Sequence, residues 1–343
     1  MKHIEISKRI FHFKQPAGTS RGIYTTRQSY FLTLTDDGMP GIKGVGECAP
    51  LPKLSCDDLP DYETILHQIC KLVESTDKIP YALLCPYPSI LFGLETAFAQ
   101  FNAHGSTMLF DTPFGRGEEG IRINGLVWMG NFDEMAARLE AKLRQGFHCV
   151  KLKIGAIDFE KEIELIRHIR ELFDKHQVEL RVDANGAFTP KNALQHLETL
   201  AKYDIHSIEQ PIKQHQWEDM AYLCAASPLP IALDEELIGV NVAAMKEALL
   251  DTIRPQYIVL KPSLHGGMRG TEEWIRLAHT RGIGSWITSA LESNIGLNAI
   301  AQLCAKVYGP RVSTPQGLGT GQLFTDNITM PLTIRGDEMW ITQ

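Results

Sequence analysis

Five charged side chains end five short apolar runs in this sequence. VKLKIG carries Lys153, LRVDAN carries Asp183, SIEQP carries Glu209, IALDE carries Asp234 and IVLKPS carries Lys261. Successive members lie about 25–30 residues apart, roughly one β/α unit, so they recur at equivalent places on successive strands. Three carboxylates brought together repel one another, and a charge at the end of a buried strand is costly unless it is paired or bound to a metal. A cation removes both costs. All-oxygen ligands point to a hard divalent ion, Mg2+ or Mn2+, with coordination places left over for a substrate carboxylate. A lysine beside a cation and a second lysine has its pKa lowered and serves as a base. Lys151 lies two residues before Lys153, on the same side of an alternating strand, and could supply that second charge. The chemistry implied is abstraction of a proton next to a carboxylate, with the metal stabilising the enediolate that results. Taken singly, such an acid usually caps the next helix and such a lysine is simply solvated. Five in register carry the argument.

The elements that must position these residues fall into two patterns. From about residue 121, strand-like runs at 121–127, 148–154, 178–183, 205–209, 230–234, 256–261, 283–289 and 311–314 alternate with helical stretches. One such stretch, 158–176, carries Ile163, Ile166, Ile169, Leu172 and Phe173 at helical spacing; another, 131–145, stops at Gly146. Eight strands alternating with helices predict a (β/α) barrel, whose carboxyl ends form the active face. No GxGxxG follows the first strand, which sets a doubly wound open sheet aside. The first hundred residues read differently. Strands are predicted at 2–14 and 24–35, then a turn at Asp36-Asp37-Gly38, then a Gly- and Pro-rich loop, GVGECAPLP, at 44–52. A helix follows from an N-cap at Asp57 or Asp58 to about Glu74, and a second over 87–103. Strands followed by helices without alternation suggest an α+β unit. The short strand-like text at 320–343 is expected to fold back onto that unit.

Composition is that of an ordinary globular chain of 343 residues, 44% hydrophobic and 22% charged, enough for a large core. A net charge of −7 argues against a general nucleic-acid surface. MKHIEISKRI has no long apolar run, so no signal peptide is expected, and no stretch is apolar enough to span a membrane. The seven cysteines show no CxxC pair and read as reduced thiols of a cytoplasmic protein. No HxxxH or HExxH pair occurs, which sets a histidine metal site aside. His265 reads as a polar loop residue, Gly266-Gly267 as a tight turn, and Asn185 and Glu235 as supporting or capping groups. Oligomeric state is not legible.

These motifs together are familiar. KLK at 151–153, DAN at 183–185, EQP at 209–211, LDE at 233–235 and KPS at 261–263 resemble the enolase superfamily, in its muconate-lactonizing subgroup. GVGECAPLPKLS at 44–55, ITSALES at 287–293 and GLGTGQLF at 317–324 are similar, within that subgroup, to the o-succinylbenzoate synthase family. The resemblance covers essentially the whole chain. It implies a modified TIM barrel of the (β/α)7β type over 116–319, with an α+β capping domain over 1–115 completed by about 320–343. It implies a lyase that dehydrates a hydroxylated succinyl-cyclohexadiene carboxylate to o-succinylbenzoate, a step of menaquinone biosynthesis. Lys153 would take the α-proton and return it to the leaving hydroxyl, Lys261 would stabilise the enediolate as a cation, and Asp183, Glu209 and Asp234 would hold Mg2+, with Mn2+ as a substitute. Lys151, Arg27 and Ser289 are the candidates for touching the small carboxylate substrate, from loops at 15–28 and 44–55 and from the last strand ends. The same lysine pair also fits an N-succinylamino acid racemase or a dipeptide epimerase. The epimerases carry an acidic DxD where this chain reads GLGTGQL, and superfamily sugar-acid dehydratases a histidine where it reads ITSALES. Muconate cycloisomerisation and a non-catalytic barrel that binds an acidic metabolite are the remaining alternatives.

Overall fold

The computed structural model describes residues 1–19, 22–128, 130–310 and 312–342. The chain opens with strands β1 (Lys2–Thr19), β2 (Gly22–Asp36) and β3 (Gly44–Cys48), followed by helices α1 (Tyr62–Thr76) and α2 (Pro88–Asn102). The three strands form an antiparallel sheet in the order β1-β2-β3. Three expectations fail here. GVGEC is a strand rather than a loop, and its glycines answer to packing: a Cβ on Gly44 would lie 1.9 Å from the Ala97 carbonyl oxygen, and one on Gly46 1.8 Å from that of Gly93. The glycines let α2 lie directly on β3. Asp57 does not start α1. It is buried and accepts hydrogen bonds from the Ser89 amide (2.9 Å) and hydroxyl (2.6 Å), so it caps α2 instead. The segment 15–28, expected as a loop, is mostly the paired ends of β1 and β2; Ser20 and Arg21 lie outside the described residues.

The alternating part follows with β4 (Ile121–Arg122), β5 (Gly125–Val127), α3 (Phe132–Arg144), β6 (Cys149–Lys153), α4 (Phe159–Leu172), β7 (Glu179–Asp183) and α5 (Pro190–Leu200). It continues with β8 (Ser207–Glu209), α6 (Trp217–Ala226), β9 (Ile231–Leu233), α7 (Ala243–Ile253), β10 (Tyr257–Leu260) and α8 (Gly267–His279). The chain ends with β11 (Gly284–Ile287), α9 (Asn294–Tyr308) and the hairpin β12 (Leu332–Arg335) and β13 (Glu338–Ile341). Seven parallel strands lie in the order β5 to β11, each beside the next in the chain.

The sheet is closed by two residues. Gln316 bridges Ile123 and Gly317 bridges Thr288, both in parallel, so Gln316-Gly317 stands where an eighth strand would be. The strand expected at 311–314 is therefore displaced: 312–314 is irregular and Arg311 lies outside the described residues. Gly317 is required at the seam, since a Cβ there would meet the Thr288 hydroxyl at 2.1 Å. Period-2 alternation then sorts the side chains. Val150, Leu152, Leu180, Val182, Ile208, Ile231, Leu233, Ile258 and Leu260 join the main core with the helices. Their neighbours Ala232, Val259 and Trp286 form a separate cluster, the inner lining below the charged strand ends.

The C-terminal segment divides. Residues 323–326 return to the first sheet, with Lys14 and Leu323 joined by a 2.8 Å backbone hydrogen bond and Phe324 packed on Phe11 and Phe13. The terminal hairpin pairs instead with β4, which precedes the first strand of the barrel. No helix among the described residues is long and apolar enough to cross a membrane.

Candidate active site

Strand register brings the expected residues together. Lys153 pairs with Asp183 across β6 and β7, and Asp183 with Glu209 across β7 and β8; Asp234 and Lys261 stand one residue beyond β9 and β10. The Lys151 ammonium lies 2.6 Å from both Glu209 carboxylate oxygens and 2.8 Å from Asp183 Oδ2. Lys153 donates to the other side of Asp183 Oδ2 (2.9 Å) and to Asn185 Oδ1 (2.7 Å). Lys261 pairs with Asp234. Asn185 in turn donates to Glu235 Oε1 (2.9 Å), so a hydrogen-bonded chain runs from Lys153 to the residue after Asp234.

Asp183, Glu209 and Asp234 are buried. Burial alone would raise the Asp183 pKa, but Lys151 and Lys153 outweigh it and hold this carboxyl far below its usual range. Burial and the Asp183 charge push Glu209 up to about 8 against the pull of Lys151. Burial also raises Asp234 in spite of Lys261. Lys151 and Lys261 are raised: burial opposes their charge, and the surrounding carboxylates prevail. The three acids are therefore not all ionised at neutral pH without cost, and added positive charge relieves them.

The donor set suits a hard cation. Asp234 Oδ1 and Glu235 Oε2 are buried without a hydrogen-bond partner among the described residues, and an orphaned carboxylate oxygen is a ready ligand. Among the described residues no three acids, thiols or imidazoles are already gathered as a cage. The reason is visible: the Lys151 ammonium stands between Asp183 and Glu209, and that of Lys261 lies on Asp234. A cation held by all three acids must displace these contacts.

The lysines, Asp183, Asn185 and Glu235 open onto a cavity of about 530 Å3. Leu51 and Leu54 form one wall and Ser289 and Leu291 another. Ser289 is thus where a substrate contact was expected, with its hydroxyl 2.5 Å from that of Thr320. Arg27 is not. It does not line the cavity; it is 1% exposed, and its guanidinium is spent on backbone carbonyls. Four of its five N–H groups are committed in this way.

Other residues differ from their sequence reading. His265 lies in the turn before α8, as read from the sequence, but it is fully buried, and its Nδ1 accepts from the Lys261 amide at 2.9 Å. Gly266 and Gly267 make a turn that is also the start of α8, with φ of 93° and 73°. The first amides of that helix already bond Glu95, so a carboxylate of the chain itself fills the anion position. Gln210 was read only as part of a motif. It is buried with φ 41°, and its side-chain oxygen accepts from the amides of Asp234 (3.1 Å) and Glu236 (3.2 Å). It thus ties the strand end of Glu209 to that of Asp234. Glu162 gathers the amides of Gly155 (2.6 Å) and Ala156 (3.2 Å), just after Lys153; an acid between apolar positions of an amphipathic helix was its only signal.

Residues 134–339 match the family described as Enolase C-terminal domain-like. An o-succinylbenzoate synthase from Desulfotalea psychrophila is 47% identical over 358 aligned positions, which cover 94% of this chain and 95% of that protein. The crystal structure of MenC from Desulfotalea psychrophila LSv54 superposes with a TM-score of 0.83 at 42% identity over 99% of both chains. An L-Ala-D/L-Glu epimerase from Bacillus subtilis is 26% identical over 88% of this chain and 84% of its own length. With residues 134–339 matched and near-full-length identity of 47%, the chain belongs to the enolase superfamily, in the branch that holds the o-succinylbenzoate synthases.

Proposed function

We propose that the protein is an o-succinylbenzoate synthase, which removes water from 2-succinyl-6-hydroxy-2,4-cyclohexadiene-1-carboxylate to give o-succinylbenzoate. The observation that carries this reading is the 47% identity to such an enzyme along nearly the whole chain. Its chemistry agrees with the site. Lys153 takes the proton from the carbon bearing the carboxylate. The ring carbon–oxygen bond then breaks, and the same ammonium returns the proton to the departing hydroxyl, so water leaves and the ring becomes aromatic. Asn185 accepts from Lys153 at 2.7 Å and keeps its amine aimed into the cavity. Lys261 follows β10, with β7, β8 and β9 between it and β6, and faces the ring from across the mouth as a cation. Mg2+, or Mn2+ in its place, held by Asp183, Glu209 and Asp234 would neutralise the charge that develops on the substrate carboxylate. The reaction places the protein in menaquinone biosynthesis, and its free cysteines are in keeping with a reducing cytoplasm.

Lysines on both sides of the cavity also favour a second reading, in which one takes a proton and the other returns it to the opposite face. That would make the protein a racemase or epimerase, as the Bacillus subtilis relative is described. The test is a spectrophotometric dehydration assay run with Mg2+ beside deuterium exchange into N-succinylamino acids. Fast dehydration with negligible exchange is expected. Exchange without dehydration transfers the function to the racemase.

A further inference from the structure

We infer that Arg27 is a positioning residue that latches the two walls of the cavity to each other. It lies in β2, paired with Phe11 of β1, beneath the loop that leaves β3. A buried guanidinium is tolerated only when its N–H groups are satisfied, and the way Arg27 achieves this is specific. Nη2 and Nη1 donate to the carbonyls of Ala49 and Pro50, each at 2.5 Å. Nε and Nη2 donate to those of Leu291 (3.3 Å) and Ala290 (3.4 Å). The first pair leads directly into Leu51 and Leu54, one cavity wall; the second pair belongs to the other wall, with Ser289. One side chain therefore fixes the distance between two segments that are about 240 residues apart in sequence.

Two further observations support the latch. Leu291 has φ 64°, left-handed backbone that leucine adopts only when its surroundings impose it, and its carbonyl is one of those held. Glu47 makes a second tie between the same parts: it accepts from Ser29 Oγ (2.6 Å) on β2 and from Ser293 N (2.9 Å), Ser293 Oγ (2.6 Å) and Gly296 N (2.9 Å) beyond the second wall. Neither tie involves Lys153 or the acids at the strand ends. Loosening the latch therefore weakens the fit of the walls around the substrate and leaves the proton transfer intact, which raises KM at nearly constant kcat.

The kinetic half of this inference rests on the proposed dehydration; the structural half does not. Arg27→Lys keeps the charge but loses the planar fork that spans both loops. We expect hydrogen exchange to speed up in 49–55 and 289–293 together, KM to rise about tenfold and kcat to stay within about twofold. The same rise in KM is expected for a substrate whose remote carboxylate is methylated. A variant effect that vanishes with the methyl ester would show that Arg27 reads that carboxylate directly, and would overturn the latch. So would unchanged exchange in either segment. In the wild-type protein, native-state exchange in low denaturant should give both segments one shared opening free energy, and separate values would refute the latch even if the variant did not fold. A wild-type protein that fails to turn over the diacid removes the functional reading while the exchange result stands.

Discussion

Lys151 holds its ammonium 2.6 Å from each carboxylate oxygen of Glu209, and 2.8 Å from Asp183 Oδ2. A single positive charge thus serves two buried acids. Replacing it by methionine leaves both without a near cation apart from Lys153 on Asp183, and breaking a buried pair costs about 3–5 kcal/mol. We expect Lys151→Met to lower unfolding free energy by that order in EDTA, and to recover much of the loss in excess Mg2+, because a divalent ion supplies the missing charge. Urea titrations of both proteins, with and without Mg2+, measure this. An equal loss in the two conditions would mean that no cation enters between these acids.

Lys153 shares Asp183 Oδ2 with Lys151, so its removal does not strip that acid of a partner. Lys153→Ala is therefore expected to stay folded and to bind Mg2+ with nearly unchanged affinity in calorimetry. Its turnover should fall by at least about 100-fold, the scale of a general base. Turnover comparable to the wild type would end the assignment of Lys153 as the base.

Four carboxyl groups, Asp183, Glu209, Asp234 and Glu235, gather around three lysines at the strand ends, and Asp234 Oδ1 and Glu235 Oε2 are buried with no hydrogen-bond partner among the described residues. Chelation should therefore abolish activity, and Mg2+ or Mn2+ should restore it. Full activity in a sample shown by elemental analysis to be metal-free would refute the carboxylate site.

What the sequence disclosed and what it hid divide along physical lines. Lys153, Asp183, Glu209, Asp234 and Lys261 were legible because strand register repeats with the β/α unit, and a charge that ends an apolar run advertises its position. The barrel was legible for the same reason, except at its seam. Gln316-Gly317 has no apolar run to mark it, since two bridging residues do the work of a strand. Gly44 and Gly46 misled because glycine signals turns, whereas here it admits a helix against a strand. Arg27 misled because the carbonyls of residues 49–50 and 290–291 that hold it come from segments far away in the chain, and no local pattern announces them. Gln210 and Asp57 are similar cases: Gln210 accepts from the amides of Asp234 and Glu236, and Asp57 from the amide and hydroxyl of Ser89, all more than 20 residues away in the chain.

Glu95 offers a test of burial that is independent of the active site. It sits on α2 and accepts from the Met268 and Arg269 amides at the start of α8. Burial is the main cause that raises its pKa from 4.5 to about 7, against the pull of those two amides. Between pH 4.5 and 7 the folded chain keeps a proton that the unfolded chain has released. The stability from this group is complete below 4.5 and is lost as pH rises through about 7. Glu95→Gln keeps an acceptor for the two amides but does not ionise. Its extra N–H group adds a cost that is constant with pH. The variant should therefore lack a slope of up to about 1.4 kcal/mol per pH unit that the wild type shows across this window, and it should gain on the wild type steadily from pH 5 to pH 7. Urea unfolding of both proteins at pH 5, 6, 7 and 8 reads the difference directly. Parallel stability curves would mean that Glu95 titrates at its ordinary value and that water reaches the junction of α2 and α8.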